Sequence, residues 1–461
     1  MNSPLPSPPS ALSRKRLTWV VIALWSIVML AIFIRVGFSP HRNTVFETYE
    51  TAGKHWIASQ DIYKTKRGFV YSPLIAAFFA PFTVLPDLAS NVLWRLLNLG
   101  VYLGAICLWL KLELHHRIPK SRHILVYLLL LPLSLGNFNN GQANPIIIGL
   151  LMLAVIGTKT TCWNTAALCV AVAAYFKIYP LVVGMLLIVL FPQKLSWRLP
   201  LAVIVLGGLS FLLQKPAYVT HQYQLWIATR MGDDRRQYVQ VIAPNDLWLL
   251  LRYLHISITE KANIVLHVAS GTAIAALCLF GWFRGWALNR LLAALFTLVI
   301  YWMLLLGPAT ESSTYRERAY IVLQVSSGAA IAAICFFGRL KGWALNRLLA
   351  SLFTLVVCWM LLLGPATESS TYILLAPALV LALLQAFNQP MSPWLRVLPV
   401  STYLITLVSL GIDSFTPFNK DIHAMALQPA GALIFSCYVV IWVLTPAYWP
   451  GHQPSYNNCF Q

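Results

Sequence analysis

Long apolar runs separated by short polar stretches dominate this chain. Fourteen of these runs approach the length of about 20 residues that a helix needs to cross a bilayer. They predict transmembrane helices at residues 18–38, 89–110, 123–138, 140–157, 163–176, 178–192, 198–213, 264–283, 291–307, 321–338, 348–364, 371–388, 396–412 and 429–448. The fold class that follows is an all-α, polytopic membrane protein that forms a single integral membrane domain over residues 1–461.

Another apolar run, residues 70–86, is treated differently. Counting it as a span would invert the sidedness of every later loop, and the run is interrupted by Pro73, Pro81 and Pro86. We therefore predict a re-entrant or interfacial apolar hairpin within a first external loop at residues 39–88.

The basic residues set the predicted orientation. Arg14, Lys15 and Arg16 precede the first apolar run, and every second loop after it is rich in Lys or Arg, which keeps those loops cytoplasmic. The N-terminus is then cytoplasmic, in a multi-pass protein of the cell membrane. Of the 14 acidic residues, 13 fall on the external side and only Glu113 on the other, so we expect the chemistry to face away from the cytoplasm.

Composition excludes several functions. The chain is 59% hydrophobic and 10% charged, and its net charge of +19 comes mostly from residues at span ends, where they anchor against anionic membrane lipids. We expect no nucleic-acid partner. Sequence motifs for a metal site, a P-loop or a nucleophile elbow are absent, so we expect no metal and no cofactor. The cysteines fall in spans or cytoplasmic stretches, and we expect no disulfides.

A tandem repeat organises the second half. Residues 264–315 and 321–372 align at a fixed offset of 57, and only 11 of the 52 aligned positions differ. Such identity is typical of a recent duplication rather than of an ancient repeat fold. Each copy holds two predicted spans, so the duplication leaves the sidedness of everything downstream unchanged.

Three external segments carry candidate binding chemistry. The first loop holds mixed charge beside the apolar hairpin, which suits a solvated surface or a polar head group above a lipid tail. The turn 136–145 crowds amides that either favour a tight turn and cap a helix or bind sugar hydroxyls or a phosphate. In 174–180, Lys177 breaks the pattern of cytoplasmic basic residues, and either snorkels or pairs with a lipid phosphate. A large external loop at 214–262 combines tryptophans with charges.

The order of these motifs resembles glycosyltransferase family 87, which consists of multi-span GT-C-type enzymes related to polyprenol-phosphate-mannose-dependent mannosyltransferases. The similarity rests on DIY, YSPLIAAFFAPF, NGQANPIIIGLL, KIYPLVVGMLL and LLLGPATESSTYILLAPAL, and it spans nearly the whole chain. The second repeat copy is the better match at its end, because ILLAPAL continues from it.

The resemblance implies transfer of a mannose-like hexose from a polyprenyl-phosphate donor to a lipid or cell-envelope glycan acceptor. It implies a carboxylate base in the first external loop, for which Glu47, Glu50 and Asp61 are candidates, with Glu47 ahead of Asp61. The implied substrate-binding residues are Lys177, Arg67, Lys66, Asn140, Gln142, Asn144, Tyr71 and Glu368.

One departure from the family pattern keeps other functions open. Val45 stands where the family often has an Asp, so an inactive family relative is one alternative. The other is a lipid-glycan flippase or transporter. Ion-coupled transporters usually keep acidic residues near the middle of the membrane, and no Asp or Glu lies inside a predicted span, which favours the enzyme.

Overall fold

The computed structural model describes residues 11–42, 44–64, 68–114, 118–232, 245–254, 327–328, 330–364, 367–415, 426–445 and 448–449. All regular secondary structure in these ranges is helical. The helices are α1 Ala11–Phe38, α2 Phe46–Ile57, α3 Pro73–Phe79, α4 Asp87–Lys111, α5 His123–Asn140, α6 Asn144–Lys159, α7 Trp163–Phe176, α8 Leu181–Leu190, α9 Pro192–Leu195, α10 Arg198–Leu213, α11 Pro216–Gly232, α12 Leu247–Tyr253, α13 Ala330–Leu340, α14 Leu345–Leu362, α15 Leu375–Ala386, α16 Pro393–Phe415 and α17 Leu427–Leu444. Short 3-10 segments lie at Ala80–Val84, Lys120–Arg122 and Ser369–Leu374.

Eight stretches within the described ranges are long and apolar enough to cross a membrane: Lys15–Phe38, Asp87–Lys111, Lys120–Asn140, Pro192–Leu213, Leu345–Leu362, Ser369–Ala386, Pro393–Leu410 and Leu427–Leu444. The chain is thus a multi-pass membrane protein. The predicted number of fourteen spans is only partly met. The expected spans at 264–283 and 291–307 lie outside the described residues, and 321–338 is described only in part.

Three expected spans form shorter helices. With 16, 14 and 10 residues, α6, α7 and α8 are about 24, 21 and 15 Å long, against a hydrocarbon core of about 30 Å. Most of α6 is buried by protein, and it packs against α4 and α7. The close approach to α4 depends on Gly149, where an added Cβ would lie 2.9 Å from the Val101 side chain. An apolar run predicts that its side chains are buried, and either lipid or protein can bury them.

Contacts sort the polar segments into two ends of the helical bundle. At one end, Lys177 contacts Thr371, and the 136–145 turn contacts both α2 and Ser370. At the other end, the Lys159 ammonium donates to the Leu112 carbonyl, and Asn346 donates to the Glu113 carbonyl. Residues expected on opposite sides of the membrane are therefore separated, and α6 and α7 each run from one end to the other. Which end faces the cytoplasm remains a prediction.

The first external loop is largely helical. Its predicted apolar hairpin appears as one short helix, α3, which continues into the 3-10 segment Ala80–Val84. Before it, α2 buries Phe46 and Tyr49 against Phe79, which lies at the end of α3. The segment Pro73–Val84 is one of the shorter apolar helices, and its position in the membrane remains a prediction.

The large external loop packs on the first one. Gln222 of α11 accepts from the Ile62 backbone N–H at 3.1 Å, and the Tyr218 hydroxyl donates to the Gln60 carbonyl at 2.6 Å. Trp226 reaches the Val70 carbonyl at 3.3 Å. The two loops that the sequence assigns to one side of the membrane are in direct contact.

Candidate active site

Five segments meet at one end of the bundle. They are the start of α2, Tyr71 just before α3, the turn between α5 and α6, residues 177–180 after α7, and a polar turn at residues 368–371. We call the side chains that meet there the polar cluster, which consists of Tyr49, Tyr71, Asn144, Lys177, Tyr179, Glu368, Ser370 and Thr371.

The α5–α6 turn is built on Gly141, which caps α5 with a left-handed φ of 65°. A side chain there would be strained and would press on the Arg95 guanidinium, 3.1 Å from an added Cβ. Arg95 is buried and donates to the carbonyls of Phe138 and Asn139, in the last turn of α5. The Asn140 carbonyl accepts from the Val45 N–H at 2.8 Å, which fixes α2 against the turn.

Two amide side chains of this turn that the sequence predicts to bind substrate, Gln142 and Asn144, are buried. Asn144 is fully buried and donates through Nδ2 to Asn137 Oδ1 at 3.1 Å and to the Ser370 carbonyl at 3.0 Å. It does not cap α6, whose N-cap is Ala143 without a side-chain hydrogen bond. Gln142 is also buried, and its backbone N–H donates to the Asn137 carbonyl. Tight-turn geometry thus explains Gly141, whereas Asn144 links the turn to residues 368–371.

Lys177 lies directly after α7. Its backbone is extended, with φ −146° and ψ 137°, and ends the helix before Pro180. The ammonium group lies 3.5 Å from Thr371 Oγ1 and 5.9 Å from the centre of the Tyr179 ring. The side chain is half-buried and lies beside the polar turn, in the polar cluster.

The polar turn 368–371 is held by its own side chains. Glu368 and Thr371 form a reciprocal capping box at the start of the 3-10 segment Ser369–Leu374. The Ser370 hydroxyl lies 3.4 Å from Glu368 Oε2. The Glu368 side chain is exposed, so its carboxylate is accessible to a ligand, whereas Asn144, which contacts the same turn, is buried.

The repeated sequence offers two versions of this turn, and the structure builds the polar cluster from the second copy. After the shared TESSTY, the second copy continues with Ile373, Leu374 and Leu375, which are all buried. The first copy has RER at 316–318 instead. Placing three charges at those buried positions would cost several kcal/mol per unpaired charge. The second copy alone therefore fits here.

Three tyrosines complete the polar cluster. The Tyr49 hydroxyl donates to the Tyr71 hydroxyl at 3.0 Å. Burial raises the pKa of Tyr49 well above its usual value, and Tyr71 and Glu368 raise it further. Burial likewise raises the pKa of Tyr179, with Glu368 and Tyr71 adding to the shift. Both hydroxyls therefore stay protonated at neutral pH and act as neutral donors.

Sequence reasoning selected Tyr71 but missed Tyr49 and Tyr179. Both missed residues lie in segments that were already singled out, FETYETA and KIYP. The signal that could have found them is position, since each stands within four residues of a candidate charged group. From sequence alone, a tyrosine beside an apolar run is as well explained by packing in the core as by a role in binding.

A buried amide network supports the polar turn from behind. Asn245 Nδ2 donates to Gln428 Oε1 at 2.7 Å, and Gln428 Nε2 donates to the Ser369 hydroxyl at 2.8 Å. The Tyr372 hydroxyl donates to the Asn245 carbonyl at 2.8 Å. Asn245 comes from the large external loop and Gln428 from α17, so distant segments fix the orientation of this turn.

The carboxylates of the first loop occupy different surroundings. Glu47 lies in the first turn of α2, half-buried, with Oε2 shielded from solvent. Residues two apart on a helix point about 200° apart, so Glu47 and Tyr49 point to different sides of α2. Glu50 is buried and pairs with Lys54 at 2.7 Å.

Asp61 is engaged in its own turn. It accepts from the Tyr63 N–H at 2.9 Å and lies 3.5 Å from the Lys64 ammonium. The structure therefore brings together Lys177, Asn144, Tyr71 and Glu368 and leaves Asp61 beside α11. Lys66 and Arg67 lie outside the described residues. Within the described ranges, no group of three or more His, Cys, Asp or Glu side chains forms a metal site.

Fold and polar cluster define a class: a multi-pass, all-helical membrane protein with a cluster of lysine, carboxylate, amide and phenol groups at one end of the bundle. The sequence matches the model of glycosyltransferase family 87 over residues 69–308, just over half of the chain. The chain therefore belongs to this family, which makes it a membrane glycosyltransferase. Among curated proteins, none matches its sequence.

Proposed function

We propose that this protein transfers a mannose-like hexose from a polyprenyl-phosphate donor to a lipid or cell-envelope glycan acceptor, at the polar cluster and on the extracytoplasmic face of the cell membrane. The observation that supports this most is the position of Lys177. A half-buried ammonium group lies beside the polar turn, together with neutral phenol and amide donors. Such a set of groups suits the singly charged phosphodiester that links a sugar to polyprenol.

The reaction assigns each group a task. The acceptor O–H gives its proton to a carboxylate base while the acceptor oxygen bonds to the anomeric carbon. The bond from that carbon to the phosphate oxygen breaks, and its electron pair leaves with the polyprenyl phosphate. Lys177 stabilises the charge that develops on this phosphate, with Lys66 or Arg67 assisting. Asn140, Gln142 and Asn144 supply amide contacts, and Tyr71 and Glu368 bind substrate hydroxyls.

Glu47 is the proposed base, ahead of Asp61. Its position in the first turn of α2, next to the α5–α6 turn, supports this choice, whereas Asp61 lies in a separate turn beside α11. Glu368 is a third carboxylate to test, because it shares Thr371 with Lys177.

Carboxylate-to-amide substitutions separate these roles. General-base catalysis contributes about 100- to 10,000-fold, so Glu47→Gln should lower the turnover number by at least about 100-fold without loss of folded protein. Glu368→Gln should mainly raise the Michaelis constant for substrate. The repeat supplies a matched control, since Glu311→Gln makes the same change in the first copy and should leave transfer unchanged. Full turnover in both Glu47→Gln and Asp61→Asn would refute the proposed mechanism.

The alternatives make different predictions. An inactive relative would transfer no sugar until Val45→Asp restored the family carboxylate. A flippase would move the lipid-linked sugar across the bilayer without cleaving it. The position of the acidic residues argues against an ion-coupled transporter. The only Asp or Glu within the eight described membrane-spanning stretches is Asp87, at the first residue of its helix.

A further inference from the structure

Two polar atoms of the polar cluster are buried and lack a hydrogen-bond partner among the described residues. One is the Tyr179 hydroxyl, on a side chain that is 7% exposed, and the other is Oδ1 of Asn144, on a side chain that is 0% exposed. Buried polar atoms in native proteins nearly always have a partner, so these two atoms call for a specific explanation.

The identity of the Asn144 atom follows from its neighbours. The Ser370 carbonyl accepts hydrogen bonds and never donates them, so the Asn144 atom 3.0 Å away is the NH₂ group. The remaining atom is therefore the acceptor oxygen. Tyr179, whose pKa is raised by burial, supplies a donor. The polar cluster thus holds one unused donor and one unused acceptor.

Both residues lie beside the same polar turn. Asn144 contacts Ser370, and Tyr179 lies close enough to Glu368 for the two to interact electrostatically. The Lys177 ammonium, which we assign to the donor phosphate, lies over the Tyr179 ring. A group attached to that phosphate would come next to both unpaired atoms. A hydroxyl group both donates and accepts, so sugar hydroxyls match this pair, whereas a lipid tail does not.

We propose that the Tyr179 hydroxyl and Asn144 Oδ1 bind hydroxyl groups of the sugar that is transferred, and that Tyr179 makes the site selective for a particular hydroxyl. This proposal rests on the proposed function. A site built to bond a hydroxyl discriminates against the analogue that lacks it, because its own buried group is then left unpaired. Tyr179 is a substrate-binding residue in this account and takes no proton from the acceptor.

The test is a cycle between one protein hydroxyl and one sugar hydroxyl. The full-length protein in detergent receives short-chain isoprenyl phosphomannose and its 2-, 3-, 4- and 6-deoxy analogues. The parent should use one analogue about tenfold less efficiently than mannose. Tyr179→Phe should use mannose about tenfold less efficiently than the parent and lose that discrimination. Unchanged discrimination in Tyr179→Phe against every analogue would overturn the proposal.

Thermal stability separates a binding role from a structural one. Removing an unpaired buried hydroxyl breaks no bond within the protein, so Tyr179→Phe should keep or raise the midpoint of thermal unfolding. The control is Tyr175→Phe on α7, whose hydroxyl donates to the Val203 carbonyl at 2.6 Å. This control should lower the midpoint and keep the sugar discrimination. A midpoint that falls as far in Tyr179→Phe would mean that the hydroxyl bonds a structural water, and would refute the inference.

A binding measurement keeps the two proposals distinguishable. If the parent transfers no sugar, the proposed function fails, and ligand protection still tests Tyr179. Short-chain isoprenyl phosphomannose should raise the unfolding midpoint of the parent more than that of Tyr179→Phe. Equal protection of both proteins would overturn the assignment of Tyr179.

Discussion

Replacing Lys177 by methionine removes the charge that we assign to the donor phosphate and keeps an unbranched stem against the Tyr179 ring. Within the protein the ammonium lies 3.5 Å from Thr371 Oγ1, at the outer limit of a hydrogen bond, so the loss of this contact should cost little stability. A charge-assisted hydrogen bond contributes about 1.5–3 kcal/mol. At about 1.4 kcal/mol per factor of ten, the Michaelis constant for the donor should rise about 10- to 150-fold.

The assay measures initial rates of transfer from labelled polyprenyl phosphomannose, in vesicles that contain equal amounts of folded protein. Lys54→Met is the matched control, because Lys54 pairs with Glu50 at 2.7 Å on α2 and its side chain is 56% exposed. This control should leave the donor requirement unchanged. Equal donor requirements in parent and Lys177→Met would show that the lysine only reaches toward the membrane surface, and would refute its assignment to the phosphate.

Two further predictions concern the framework around the polar cluster. Gln428→Leu leaves the buried Asn245 amide unpaired, which should lower the unfolding free energy by about 1–3 kcal/mol and lower transfer. The control is Gln385→Leu, at a glutamine whose Oε1 has no hydrogen-bond partner among the described residues, and it should cost less. Equal losses in both variants would show that the amide network does not support the polar turn. Deleting residues 264–320 removes one repeat unit of 57 residues with two predicted spans, so a C-terminal reporter should stay on the same side of the membrane; a change of side would refute the predicted topology.

Hydropathy predicted where most helices lie but not what surrounds them. The run at 140–157 is as apolar as a span, and the structure places it as the buried α6 in the middle of the bundle. The spacing and hydrophobicity of apolar residues predict that a side chain is buried, but they do not show whether lipid or protein buries it. The run at 70–86, which three prolines interrupt, forms α3 and the 3-10 segment Ala80–Val84, and its re-entrant position in the membrane stays a prediction.

The residues of the polar cluster were partly predictable for a related reason. Lys177 stood out because it breaks the pattern that keeps basic residues on the cytoplasmic side. Asn144 stood out because amide side chains crowd its turn, and Glu368 stood out through the family resemblance. Their contacts, however, join residues that are 226 and 194 positions apart in the chain, Asn144 with Ser370 and Lys177 with Thr371. Helix packing decides such pairings, and no spacing within a single segment encodes them.

The most direct test of the central claim is transfer of labelled mannose from polyprenyl phosphomannose to extractable membrane lipid or envelope glycan by vesicles that carry this protein. The account predicts label in the acceptor fraction with the parent and Glu311→Gln, and a loss of at least about 100-fold with Glu47→Gln. An acceptor fraction without label for the parent, with label appearing only after Val45→Asp, would contradict the account and identify a degenerate member of the family.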